Sequence, residues 1–250
     1  MRQLHIFSLL ISTGALALGG AAIAADEPDA GSLLKDADRA RGGLERGVTW
    51  TVEVESIEDG ETTKRAFLVK GRGNDALAEA ISPPRHKGEV MLFNDRTLWF
   101  VKPGLRKPVS ISARQKLSGM AANGDIASTN YARDYEGKIV GVETLDGEET
   151  YRLELTAKAK NVTYDRIRYW VSKQRRLALK AEFLTLEGQV FKTAKFVYGN
   201  KSMLDGKEID LVKDMTIVDT ASNNQTVIHY SEAKAEDHAP SLFNVNNVAR

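Results

Sequence analysis

From Val48 the chain alternates: Val48, Trp50, Val52 and Val54 are apolar, and the Thr49, Thr51, Glu53 and Glu55 set between them are polar. A period of two sends successive side chains to opposite faces of an extended backbone, so the segment predicts a strand with one buried and one wet face. The alternation returns in Tyr151, Leu153 and Leu155 and, more loosely, in Ile167, Tyr169 and Val171. Turn signals at Asp59-Gly60, Asn94-Asp95, Asp146-Gly147, Glu187-Gly188, Gly199-Asn200, Asp205-Gly206 and Asn223-Asn224 punctuate the chain. They separate candidate strands near 48–56, 64–71, 76–82, 89–94, 97–101, 107–111, 138–145, 149–157, 163–172, 177–186, 189–198 and 208–231, the last reading as two. The spacing is too tight for helical crossovers, so consecutive strands are expected as antiparallel neighbours, and a twisted sheet that large tends to curl.

Two segments break the pattern. After Ser32, Leu33, Leu34, Ala37, Ala40 and Leu44 recur at helical spacing until Gly42-Gly43, which predicts a short amphipathic helix. From Ser112 to Tyr135 alternation stops; Leu117, Met120, Ile126 and Tyr131 stand at wider spacing around Asn123-Gly124, which predicts a short helix, a loop and a second short helix. The expected fold is mainly β (α+β): a large curved antiparallel sheet forming an incomplete barrel, its concave face covered by short helices. So little helix leaves two outcomes on pattern alone, an ordinary filled core or a concave apolar surface that takes a hydrophobic ligand.

Composition narrows the chemistry. Among 250 residues, 35 Lys and Arg meet 34 Asp and Glu, a net charge of +1 with no basic block, so nucleic acid is not an expected partner. The absence of Cys excludes thiolate metal sites, disulfides and cysteine nucleophiles. Arg2 precedes an apolar run from Ile6 to Ala24 ending in Ala22-Ile23-Ala24, which reads as a secretory signal peptide over 1–24, cut after Ala24. Residues 25–250 are then expected as a single soluble, periplasmic domain that does not span the membrane. His86, His229 and His238 lie far apart without metal spacing, and no catalytic set, metal or cofactor is expected. Gly71-Arg72-Gly73-Asn74-Asp75-Ala76 fits the loose dinucleotide fingerprint but lacks the helix that would bind phosphate, so it reads as a hairpin connection. Asp36, Asp38, Glu45, Glu53 and Glu55 are assigned to solvated faces.

The order of features resembles the LolA-like superfamily, in particular its branch of outer-membrane lipoprotein-sorting proteins. The residues that carry the likeness are Leu33-Leu34-Lys35-Asp36-Ala37-Asp38-Arg39-Ala40-Arg41-Gly42, Ile81-Ser82-Pro83-Pro84 with Lys87-Gly88, and Leu98-Trp99-Phe100-Val101-Lys102-Pro103-Gly104. Arg133-Asp134-Tyr135, Leu145-Asp146-Gly147, Tyr151-Arg152-Leu153-Glu154-Leu155 and Tyr169-Trp170-Val171 continue it, so that it covers nearly all of residues 32–230. The resemblance departs at the lid, where Ile126 replaces an aromatic residue and Asn130 an acidic one. It implies a helix-closed hydrophobic cavity for acyl chains and a non-enzymatic periplasmic carrier. Its partners would be an acylated lipoprotein or a free lipid, an inner-membrane exporter and an outer-membrane acceptor. The expected lipid-binding residues are Trp50, Val52, Phe67, Phe93, Phe100, Met120, Ile126, Tyr131 and Phe183, around a hollow that side chains do not fill, with Gly119, Asn123 and Gly124 as hinge positions of a lid. Two other classes stay open: an accessory module of an inner-membrane exporter with a filled core, and a secreted lipid hydrolase.

Overall fold

The computed structural model describes residues 28–248, apart from 95, 128 and 129; the expected signal peptide lies outside the described residues. Helix α1 (Ala30–Ala40) starts where the Asp29 carboxylate accepts the Ser32 N–H at 3.0 Å. Six strands follow: β1 (Val48–Glu58), β2 (Glu61–Arg72), β3 (Asp75–Ser82), β4 (Val90–Asn94), β5 (Thr97–Val101) and β6 (Val109–Ile111). The insert contains β7 (Lys116–Ser118), β8 (Ala121–Ala122), α2 (Asn123–Ala127) and α3 (Tyr131–Asp134). The second half runs β9 (Tyr135–Leu145), β10 (Glu148–Ala157), β11 (Arg166–Ser172), β12 (Ala178–Leu184), β13 (Val190–Leu204), β14 (Lys207–Asp219) and β15 (Gln225–Ala235), then α4 (Val245–Val248).

Thirteen strands form one antiparallel sheet in the order β6-β5-β4-β3-β2-β1-β15-β14-β13-β12-β11-β10-β9. Every neighbouring pair is consecutive in sequence except β1–β15, where the two halves meet, and β9 and β6 stand at opposite edges without closing a barrel. Around that seam Val52 lies opposite Phe67 on β2 and Tyr230 on β15. The inward residues Val48, Trp50, Val52 and Val54 are buried, as the alternation requires. Gly73-Asn74 is a tight turn joining β2 to β3, as the hairpin reading of that loop expects.

The structure corrects the sequence reading at two places. The first part of the insert is not a helix but the small hairpin β7–β8, and Asn123-Gly124 opens α2 instead of separating two helices. The turn of that hairpin is Gly119 at φ +53°, a conformation that glycine adopts without steric cost. The outer face is also less polar than the alternation predicts. Leu77, Leu92 and Trp99 lie side by side across β3, β4 and β5, and Phe243 with α4 covers them in a small second core. Nothing in the local period of the strands announces this cover, because it comes from a segment about 150 residues away in sequence.

Candidate functional site

The concave face is roofed by α1 and the insert. On α1 and its C-cap, Leu34, Ala37, Asp38 and Arg41 share one helical stripe, and all four are buried. The stripe therefore carries a carboxylate and a guanidinium into the interior, which corrects the assignment of Asp38 to a solvated face. Asp38 Oδ2 accepts the Ala132 N–H at 2.8 Å, tying α1 to α3, while its Oδ1 has no hydrogen-bond partner. Burial pushes the Asp38 carboxyl up to about 7, against the pull of the Ala132 N–H and Arg41. Asp36, one residue before the stripe turns inward, instead pairs with Arg176 on the β11–β12 turn.

Arg41 enters the core without a carboxylate hydrogen-bonded to it. Its guanidinium lies over the rings of Tyr131 at 5.1 Å and Phe196 at 4.6 Å and donates to the Tyr169 hydroxyl at 3.4 Å. Tyr131 in turn meets Tyr135 and Tyr169 edge-on at 5.1 and 5.3 Å. Loss of water keeps these phenols neutral, with Tyr169 and Tyr230 each pushed up to about 12.

The insert is held down mostly by polar contacts. Asp125 accepts from the Tyr164 hydroxyl at 2.9 Å and from the Ala122 N–H at 2.8 Å. Its carboxyl is raised by burial, offset in part by Lys192. Lys192 donates to the Met120 carbonyl at 2.6 Å, and the Met120 N–H donates to Thr226 Oγ1 at 2.8 Å. Ser56 and Ser118 share a hydroxyl hydrogen bond at 3.1 Å beneath the hairpin. Gly119 and Gly124 are contact points here and not free hinges. A Cβ on Gly119 would lie 2.5 Å from Ser56 Cβ, and one on Gly124 would lie 1.9 Å from Thr163 Oγ1.

The nine residues expected to bind lipid come together in a single cluster. Trp50, Val52, Phe67, Phe93, Ile126, Tyr131 and Phe183 are buried in it, and Phe100 and Met120 are half-buried against it. Where a standing hollow is expected, the spaces that reach these nine residues are small, whereas spaces of 360 and 750 Å³ lie along α1, the larger lined by Asp36, Asp38, Arg46, Asn130 and Arg133. A space of 30 Å³ remains beside Arg41, Trp50, Val69 and Ile126, and a 190 Å³ pocket lies beside Phe67, Met91, Phe100 and Leu117. Both fall below the roughly 300 Å³ at which small-molecule sites begin. Arg41, Tyr169, Phe196 and Met215, none of them among the nine expected residues, occupy the interior instead. The i, i+3, i+4, i+7 series Leu34, Ala37, Asp38 and Arg41 was the signal for the two charged residues.

A model of a family of uncharacterized proteins matches residues 73–250. A LolA superfamily protein from Nitrosomonas europaea matches with a TM-score of 0.77 and 28% identity, over 88% of this chain and 100% of that one. The chain belongs to the LolA-like superfamily. A domain assigned to the outer-membrane lipoprotein-sorting proteins of Vibrio parahaemolyticus has the same fold, with a TM-score of 0.72 and 21% identity over 87% of this chain and 98% of that one. A DUF1329 family protein from Desulfovibrio piger, also 21% identical, matches over 87% of this chain and 97% of that one with a TM-score of 0.72. No curated protein matches the chain. This LolA-like protein has, among its described residues, no helix long and apolar enough to cross a membrane.

Proposed function

We propose that this LolA-like protein is a non-catalytic periplasmic carrier that shields the acyl chains of a lipoprotein or lipid under its insert on the way to the outer membrane. In this reading residues 1–24 are a signal peptide, residues 25–250 form the carrier, and an inner-membrane exporter and an outer-membrane acceptor load and unload it. The observation that supports it is the way the concave face is closed. A buried guanidinium met by rings, a hydroxyl and a thioether but by no carboxylate hydrogen bond, a half-satisfied buried carboxylate and an insert held largely by hydrogen bonds and ion pairs are a poor core but a workable latch.

The magnitudes permit such an exchange. At about 0.8 kcal/mol per methylene, a sixteen-carbon chain left in water costs on the order of 12 kcal/mol, which exceeds what a few hydrogen bonds of about 1 kcal/mol each hold in the roof. A cargo chain that displaces Met120, Ile126 and Tyr131 takes their place in the cluster to which Trp50, Val52, Phe67, Phe93 and Phe183 belong and against which Phe100 packs, so the lining stays covered in both states.

Mass spectrometry of organic extracts of the purified mature protein is expected to give acylated lipid near one per chain, and a chain that stays lipid-free after incubation with lipoprotein or lipid sinks the carrier reading. Met120→Asp, at a half-buried position, is expected to leave the circular dichroism unchanged and to cut lipid uptake more than tenfold, as is Phe93→Asp to the extent that it folds. The filled interior favours one other reading, an accessory module of an exporter that binds no lipid; absence of lipid uptake by the wild type and by both variants alike is its signature.

A further inference from the structure

One end of the sheet carries a basic corner that the interior does not explain. The β3–β4 loop and the β5–β6 loop lie against each other there: a Cβ built on Gly88 would sit 3.3 Å from the Pro103 ring. Arg85 and Lys87 project from the first loop, and Lys102, Arg106 and Lys107 from the second; all five are exposed, and none forms an ion pair among the described residues. Glu89, the carboxylate between the loops, is already taken by Arg65 at 3.3 Å and His86 at 3.0 Å. Glu79, on β3 behind the corner, is the neighbouring exposed acid. On a chain whose total charge is +1, five uncompensated cations within two touching loops are a strong local concentration.

Large apolar side chains stand exposed among these cations: Ile81 at 42%, Leu105 at 37% and Val109 at 46%. Leu105 is at the tip of its loop, with its N–H donating to the Lys102 carbonyl, and Pro83, Pro84, Pro103 and Pro108 stiffen both loops. Isolated apolar tips interleaved with Lys and Arg suit a surface that offers phosphates outside and hydrocarbon beneath. They do not suit a flat protein interface, which requires about 800 Å² of complementary area on each partner.

We propose that this corner docks the protein on the surface of an anionic phospholipid bilayer, with Leu105 at the loop tip entering the headgroup layer and the five cations facing lipid phosphates. Docking there does not require that the interior accept an acyl chain.

The test is flotation of the purified mature chain with vesicles of phosphatidylcholine alone and of phosphatidylcholine with phosphatidylglycerol. Binding is expected to the anionic vesicles and not to the neutral ones, and to weaken at high salt. The double variant Arg106→Glu, Lys107→Glu is expected to bind at least tenfold more weakly and Leu105→Asp several-fold more weakly, both with unchanged circular dichroism, because these side chains make no buried contact. A wild-type chain that ignores anionic vesicles overturns the proposal and leaves an acidic protein as the occupant of the corner. Equal binding to both vesicle types, or variants that bind like the wild type, overturns it as well.

Discussion

Gly119→Ala is expected to lower the stability of the closed insert by about 3 kcal/mol while the thirteen-strand sheet persists. The residue sits at φ +53°, where a side chain costs about 1 kcal/mol or more. The new methyl group would then meet Ser56 Cβ at 2.5 Å and Thr226 Oγ1 at 2.3 Å. Neither neighbour can withdraw freely. Both stand on adjacent central strands, β1 and β15, with Ser56 opposite Thr226 in register, so the added overpacking costs a further 1–3 kcal/mol, roughly. The cheapest relief is for the β7–β8 hairpin to lift, which breaks the Met120–Thr226 and Ser56–Ser118 hydrogen bonds and leaves the sheet intact. Limited proteolysis should therefore cut within 112–134 sooner than in the wild type, dye binding to exposed apolar surface should rise, and the far-ultraviolet circular dichroism should stay β-like. Wild-type proteolysis and an unchanged urea midpoint would show that the hairpin turn is not a contact point of the roof.

Much of this fold was legible in the sequence because one signal dominates it. Perfect alternation in 48–55 and the Asp-Gly turns at 59–60, 146–147 and 205–206 encode hairpins locally, and thirteen of fifteen strands follow from that rule and its weaker repeats. The insert was less legible. Over 112–122, Leu117 and Met120 are three apart, the helical interval, yet two strands of three and two residues form there, held by hydroxyls on β1 and β15. Contacts made 60 to 106 residues away decide that segment, and no local period reports them. Of the candidate site, Trp50 and Val52 stand at inward positions that alternation marks, and Met120, Ile126 and Tyr131 lie in the insert where alternation stops, whereas the polarity of Asp38 and Arg41 conceals that they share a buried helical face. Arg41 and Asp38 lie on the stripe of Leu34 and Ala37, so the geometry was available while the chemistry argued the other way. Whether an interior is hollow was not legible at all. That depends on the summed volumes of side chains brought in from both halves, such as Phe196 and Met215 meeting Arg41.

Asp38→Asn is expected to stabilise the protein by up to about 4 kcal/mol at pH 8 and by almost nothing near pH 4. The carboxyl stands at 3.8 when unfolded and about 7 when folded, because burial between α1 and α3 penalises its ionised form. Between those values folding takes up a proton, so the contribution of Asp38 to stability is fully present below 3.8 and is lost as pH rises through 7; above 7 the full penalty of a buried carboxylate remains. Asparagine keeps an oxygen for the Ala132 N–H and never ionises, so its advantage over aspartate grows from pH 4 to 7 and then levels off. Carboxylates paired at the surface, such as Asp165 with Arg114 and Glu148 with Arg175, have lowered values and favour the folded chain at higher pH; they are common to both proteins and cancel in the difference. Urea denaturation of variant and wild type at several pH values reads this difference directly, and a difference that does not change with pH places the Asp38 carboxylate in water instead of the core. The same charge acts on the roof. Ionised at pH 8, Asp38 weakens the seat of α3 on α1, so transfer of lipid between vesicles by the wild type should quicken from pH 6 to 8, while the Asp38→Asn protein, its roof held equally at both, should transfer lipid at one slow rate.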